Sequence, residues 1–328
     1  MKDRLLYFDQ MKGLAILFVV MGHVMLFSFK IDPSEPSRFI YFNMPMFFYI
    51  SGYLAYRRIE RIEELGNRIL HRGIILLVPY VVFCTIYSLF AELPNICSNL
   101  LFGRGRYWFL YDLFVISSFF LVWENLIGRF KNVWINVFLW IWPFLILIGV
   151  KYWIGKTGNG LYYSMVASYM NYYRYYLIGY LCHKYIRFND FLFKNDIVAA
   201  IGFILYFLNW FYFNLHNMLL IFGGTMGGII VVQRFFQKYL DSDSAVAKGL
   251  CSVGTMSLSI YVIHYFFIPD VSSIMQDIVY AGGGNTFIWQ LLFSVLLALP
   301  IVGASMLVGK LIETNKYLNV VFFGRLFK

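Results

Sequence analysis

Ten apolar runs, most of them near the length of a bilayer crossing, follow one another through the chain. They lie at about 12 to 29, 39 to 56, 69 to 90, 107 to 123, 133 to 150, 163 to 181, 197 to 213, 217 to 237, 254 to 269 and 287 to 308. A helix rises about 1.5 Å per residue and needs roughly 17 to 25 residues to cross the hydrocarbon layer. In lipid every backbone N–H and C=O must find a partner within the protein, and runs of this length do so as helices. The pattern therefore predicts an all-α polytopic membrane protein, a bundle of about ten transmembrane helices. Connections between the runs are short, so one integral membrane domain over residues 1 to 328 is expected, with no separate soluble domain. The sixth run, YSMVASYMNYYRYYLIGYL, carries Arg174 and many tyrosines, which leaves open whether it is tilted, broken or lines a channel. The first run has the position of a signal peptide, but no small-residue cleavage site precedes KIDPSEP, and it is read as a retained helix.

Charge fixes the expected orientation. The chain is 60% hydrophobic and only 13% charged, with a formal net charge of +10, against about 25% charged in an average soluble domain. Its basic residues sit in short segments between apolar runs, a distribution that fits an inside-facing loop bias and not nucleic-acid binding. Alternate segments, starting with the N-terminal one, hold 20 Lys and Arg; the opposite set holds six, namely Lys30, Arg38, Arg104, Arg106, Lys151 and Lys156. Both termini are thus expected in the cytoplasm. The cysteines at 84, 97, 182 and 251 fall singly, forming neither a CxxC pair nor a disulfide framework, and no metal site is expected.

Within the first run, DQMKGLAILFVVMGH places Lys12 and His23 eleven residues apart. In a helix that spacing is a rise of roughly 16 Å with a net rotation of about 20°, so both side chains share a face. Lys12 is expected at the membrane surface and His23 near mid-bilayer, bordering one internal path. A histidine inside a membrane is costly unless paired or facing a wet cavity, which makes it a functional candidate; the alternative is a satisfied bond between helices. With a reference pKa of about 6.5, histidine takes a proton from a hydroxyl and returns it to a leaving group near neutral pH.

Three motifs carry a resemblance. Asp9, Lys12, Gly13 and His23 are similar to the N-terminal pattern of the acyltransferase 3 family, integral membrane proteins that transfer acyl groups to extracytoplasmic carbohydrate. Lysine stands here where many members have arginine. NMPMFFYISGYL, Asn43 to Leu54, resembles the family's Pro-x-Phe-Phe-x-x-Ser-Gly stretch, and SLSIYVIHYFF, Ser257 to Phe267, resembles its late Ser-x-x-x-Tyr-x-x-His segment. WFLYDLF, Trp108 to Phe114, resembles a Trp-Phe-Leu segment, in which Asp112 orients a histidine or pairs with a base. The matches run in order along the whole chain. One departure is NRILHRGIILLVP, where His71 stands three residues after Arg68 and Arg72 one further, in place of two arginines three apart. A helix still brings Arg68 and Arg72 to one face at i,i+4.

The resemblance implies an O-acyltransferase of the bacterial inner (cytoplasmic) membrane, modifying a cell-envelope polysaccharide or a lipid-linked sugar. No cofactor is held tightly; acetyl-CoA or another acyl-CoA is the donor substrate, and membrane lipid is the surrounding partner. Its phosphates suit the arginine fork and the lysine point charge, so Lys12, Arg68, Arg72 and His71 are the donor-binding candidates. His23, Lys12 and Asp9 are the catalytic candidates, with His23 as general base; Asp9 is equally an N-cap or a local ion partner of Lys12. The oxyanion formed in the reaction needs a donor. Asn43 and Ser51 are candidates, while Ser51 and Gly52 equally allow close helix packing. Tyr261 and His264 share a face of the ninth run and suit acceptor binding. GGTMGGIIV, Gly223 to Val231, is read as a close helix contact. A transporter or flippase for a lipid-linked saccharide, and a structural partner in an envelope complex, are the competing readings.

Overall fold

The computed structural model describes residues 5–30, 34–56, 62–91, 100–103, 105–127, 130, 132–212, 217–240, 243–281 and 286–325. Among these every regular element is helical. Six helices are long and apolar enough to cross a membrane: Leu6–Phe29, Glu63–Phe90, Trp108–Ile127, Trp134–Thr157, Met218–Lys238 and Phe287–Thr314. Two bent pairs, Ile186–Phe193 with Asp196–Phe211 and Ala245–Thr255 with Ser257–Phe267, raise the number to eight if each pair is one span. The chain is therefore an all-α polytopic membrane protein. The other two of the ten expected runs are helical but of a different kind. Asn43–Ala55 has 13 residues, about 20 Å of helix, shorter than a bilayer core. Gly160–Lys184 is an unbroken helix of 25 residues whose tyrosines lower its hydropathy.

The described residues fall into two compact units. One comprises residues up to Ile50 with Tyr185–Leu311, and the other comprises Ser51–Lys184 with Ile312 onward. In the first unit, α1 (Leu6–His23) continues into a π-helical turn, Val24–Phe29. It is followed by α2 (Ser34–Phe39) and by α3 (Asn43–Ala55), whose residues to Ile50 belong to this unit and whose residues from Ser51 on belong to the second. Association in lipid gains nothing from hiding apolar surface and depends on close packing and polar contacts. Gly13 supplies this for α1: a Cβ there would stand 2.1 Å from the Leu250 carbonyl oxygen, and one on Gly254 would stand 1.8 Å from the Asp9 carbonyl oxygen. The backbones of α1 and the helix holding Leu250 thus touch where only glycine fits.

In the second unit, α4 (Ile62–Phe90), α5 (Trp108–Ile127), α6 (Val133–Thr157) and α7 (Gly160–Lys184) pack together. The tyrosines of α7 turn inward: Tyr173, Tyr175, Tyr176 and Tyr180 are buried. Tyr173 donates to the Trp140 carbonyl at 2.8 Å, and Phe120, Trp140, Tyr173, Tyr176 and Tyr180 form one aromatic cluster. A low-hydropathy segment is thereby a core helix, with the hydroxyls of Tyr173 and Tyr176 paired inside the protein. At its end Lys184 pairs with Glu124 at 2.9 Å, both largely shielded.

The first unit resumes with α8 (Ile186–Phe193), α9 (Asp196–Phe211) and α10 (Met218–Lys238). The glycine-rich stretch expected to permit close contact does so, since a Cβ on Gly227 would meet the Gly202 carbonyl oxygen at 2.1 Å. Arg234 and Lys238 of α10 both pair with Asp196 at 2.8 Å. Next come α11 (Ala245–Thr255) and α12 (Ser257–Ile263), bent by 64°, with a 3-10 turn, His264–Phe267, after α12. Then follow α13 (Ser272–Ala281) and α14 (Thr286–Thr314), and α15 (Lys316–Phe323) belongs to the second unit.

Candidate active site

Two helices lose their regularity at the same place. The α-helical course of α1 stops at His23 and widens into the π turn, a feature that recurs at functional sites. The course of α12 stops at Ile263, and His264 opens the 3-10 turn. Irregular backbone at membrane depth is tolerated only where it is enclosed by protein or lines a cavity, and residues 259 to 265 are all buried. The carbonyl of Ser28, left over at the end of the π turn, accepts from the Val271 N–H at 3.1 Å. Beside it Lys30 pairs with Asp270 at 2.6 Å, which pulls the Asp270 carboxyl down to about 2, so this outer clasp is ionised at any physiological pH.

Inside the clasp, His23 and His264 meet. His23 Nδ1 lies 2.8 Å from His264 Nε2, with the ring centroids 5.0 Å apart and the ring planes 8° apart. Tyr265 places its hydroxyl 3.1 Å from His23 Nε2. His264 Nδ1 lies 2.9 Å from the Ile260 carbonyl oxygen, which also accepts the backbone N–H of His264.

These contacts order the protons. A carbonyl oxygen only accepts, so His264 Nδ1 carries hydrogen, and the Nε2 of neutral His264 is an acceptor. His23 then donates from Nδ1, which makes its Nε2 the basic nitrogen, and the Tyr265 O–H donates to it. His264 thus holds His23 in the tautomer whose lone pair faces the phenol. The arrangement is an imidazole with an orienting partner, a geometry that nucleophile activation uses elsewhere.

The other expected residues take the following places. Lys12 pairs with Asp9 at 3.5 Å, the local ion partnership expected as one of the two readings of Asp9. The helix between Lys12 and His23 is regular, so the rise of roughly 16 Å holds. Counting along Leu6–Phe29, His23 lies roughly 9 Å from the end of the span and 26 Å from its start, past the middle of the helix. Tyr261 is buried one turn before His264, its ring centroid 6.2 Å away. Asn43 starts α3, its Oδ1 accepting from the Met44 N–H at 2.5 Å. On the same helix Ser51 precedes Gly52, whose Cβ would stand 2.1 Å from the Tyr176 carbonyl oxygen, so the packing reading of that pair holds for Gly52.

In the second unit Arg68, His71 and Arg72 line one open cavity of about 700 Å³ with Asn67, Glu63 and Glu64. Arg68 pairs with Glu64 at 2.8 Å. Arg72 donates to the Ser117 carbonyl and to the Tyr176 hydroxyl, both at 3.2 Å. The helix does bring the two arginines and His71 together, and it adds two carboxylates that the sequence reading did not weigh. Asp112, buried in α5, accepts from the Ser168 hydroxyl of α7, and Arg174 donates back to the Asn171 carbonyl at 3.1 Å. The sequence reading missed Tyr265. Its only signal was adjacency to His264, and the 3-10 turn is what swings it back onto His23.

Residues 5–307 match the family model described as the acyltransferase domain. Among curated proteins the chain is similar to Nodulation protein NolL of Sinorhizobium fredii (strain NBRC 101917 / NGR234), 32% identical over 135 residues that make up 36% of each chain. It is also similar to Nodulation protein NolL of Mesorhizobium japonicum (strain LMG 29417 / CECT 9101 / MAFF 303099), 30% identical over 139 residues, 37% of this chain and 35% of the relative. The match spans about a third of the length of these curated relatives. No solved structure matches the chain.

Proposed function

This chain belongs to the acyltransferase 3 family, and from that premise we propose that it transfers an acyl group, acetyl in the first instance, from cytoplasmic acyl-coenzyme A to a hydroxyl of a cell-envelope polysaccharide or lipid-linked sugar. The observation that carries the reading is the ordered pair of histidines, with His23 Nδ1 at 2.8 Å from His264 Nε2. In the reaction the acceptor oxygen attacks the thioester carbonyl and its proton passes to His23 Nε2. The C–S bond then breaks, and the thiolate takes that proton from His23. His264 accepts throughout from His23 Nδ1–H, which fixes the tautomer and stabilises the imidazolium, as the third member of a hydrolase triad does. Transfer is direct, with no covalent acyl-enzyme.

The donor enters from the cytoplasmic side, where both termini lie, and the membrane is the bacterial inner membrane. Lys12, balanced by Asp9, meets the anionic end of the donor. Its separation from His23 along one helix face, roughly 16 Å, is a distance that an extended pantetheine arm bridges. Within the second unit's own cavity, Arg68, His71 and Arg72 are candidate phosphate ligands, Arg68 exchanging its Glu64 partner for phosphate. Asn43, Ser51 and Tyr261 remain the candidates for the oxyanion and the acceptor.

The test is His23→Ala in the purified full chain, supplied with labelled acetyl-coenzyme A and the polysaccharide fraction of the native host's envelope. Labelled product should fall to background while the variant stays folded in detergent. Retention of most of the parent's rate would reduce the histidine pair to a helix-helix bond.

A further inference from the structure

Both ring nitrogens of His23 are already in use: Nδ1 on His264 and Nε2 on the Tyr265 hydroxyl. A general base whose lone pair is covered reaches a substrate proton in one of two ways, by displacing the group that covers it or by receiving the proton through it. The geometry favours the second. The Tyr265 ring is 7% exposed and is held by His264, His23 and Phe27, with ring centroids at 4.1, 4.7 and 6.2 Å. Swinging it away would break these contacts and strip the polar partner from a half-buried imidazole.

We propose that Tyr265 is a catalytic residue, a phenol relay that passes the acceptor's proton to His23. This rests on the acyl-transfer reading above and specifies its proton path. In the attacking step the acceptor O–H bond breaks as its oxygen bonds to the thioester carbon. That proton joins the Tyr265 oxygen, and the Tyr265 proton moves at the same time to His23 Nε2. In the second step the C–S bond breaks, the imidazolium returns a proton to the Tyr265 oxygen, and the phenol gives its own to the departing thiolate. Tyr265 ends as it began, and no oxidant or further reactant is needed. A phenol, with a reference pKa of about 10, stands between a sugar hydroxyl and an imidazole in acidity, so neither transfer passes through a strongly uphill ion pair. The relay also sets where the acceptor sits: its reacting hydroxyl binds on the phenol oxygen, one atom beyond the imidazole.

Tyr265→Phe keeps the ring and its packing and removes only the relay oxygen. With acetyl-coenzyme A as donor and the native host's envelope polysaccharide as acceptor, kcat should fall by about 10²-fold, within the range of a lost acid-base group. KM for acetyl-coenzyme A should stay within twofold. A second variant carries 3,5-difluorotyrosine at 265, which retains ring, hydroxyl and fold and makes the phenol more acidic. Since only the neutral phenol has a proton to pass on, the alkaline limb of its pH–rate profile should move to lower pH. Parent-like or faster turnover by Tyr265→Phe, with His23→Ala inactive, would overturn the relay and leave Tyr265 as a lid over a working base. An unmoved alkaline limb in the fluorinated protein would overturn it as well. Activity retained by His23→Ala would instead overturn the acyl-transfer chemistry on which the relay depends.

Discussion

Replacing His264 by leucine removes the acceptor for His23 Nδ1–H and keeps most of the side-chain volume. In the resting protein that bond joins two neutral rings, worth about 0.5 to 1.5 kcal/mol. During transfer His23 becomes cationic, and a bond from a charged donor is worth about 1.5 to 3 kcal/mol. The differential loss is therefore about 1 to 1.5 kcal/mol, close to a tenfold fall in kcat, since about 1.4 kcal/mol is a factor of ten. Loss of tautomer control adds to this. His264→Gln sets a carboxamide oxygen near the position of Nε2 and should recover most of the rate. One readout separates this from simple misfolding. Without its acceptor the His23 imidazolium is less stabilised, so the acid limb of the kcat/KM profile moves to lower pH. Purified Leu, Gln and parent proteins are compared across pH 5 to 9 by thiol release from acetyl-coenzyme A. Equal losses in the two variants, or an acid limb that stays in place for His264→Leu, would refute the orienting role.

Other expectations follow from separate parts of the molecule. Gly13→Ala should destabilise the protein by about 1 to 3 kcal/mol, the range for overpacking, because the new Cβ meets the Leu250 carbonyl oxygen at 2.1 Å. Gly66→Ala, with nothing within 4 Å, should instead gain about 0.5 to 1 kcal/mol of helix propensity; thermal unfolding in detergent reads both. Arg68→Ala and Arg72→Ala should weaken calorimetric binding of acetyl-coenzyme A by about tenfold each, as expected for a hydrogen bond to a charged group. A donor lacking the ribose phosphate should show a smaller effect, and unchanged binding would leave these arginines with a topological role. For sidedness, cysteines placed at Ser34, Glu64 and Lys328 of a cysteine-free chain are exposed to an impermeant maleimide on intact cells. Only Ser34→Cys should react; labelling at 328 would require an odd number of crossings.

The sequence by itself determined the solvent, the helical class and the histidine proposed as base. Run length and charge distribution are local properties, and each apolar run forms a helix wherever it lies because lipid offers its backbone no other partners. His23 was legible for the same reason, as an ionisable ring in an apolar run. Lys12 with Asp9 followed from a three-residue spacing, and Arg68 with Arg72 from a four-residue one. The sequence did not disclose that α7 hides its tyrosines in a core, that α3 is helical over only 13 residues, or that Glu64 pairs with Arg68. Least of all did it disclose the partner of His23. Sequence spacing suits His264 to acceptor binding, and only tertiary structure brings it onto His23 across 241 residues of chain. That pairing rests on the glycine contact between α1 and α11, the bend between α11 and α12, the π turn after His23 and the 3-10 turn at His264. Each shifts side chains by a fraction of a helical turn, an amount that no periodicity records. Hydrogen bonds depend on tenths of an ångström and on which nitrogen faces which oxygen, so the residue that performs a step is named by packing, whereas the kind of residue able to perform it is named by sequence.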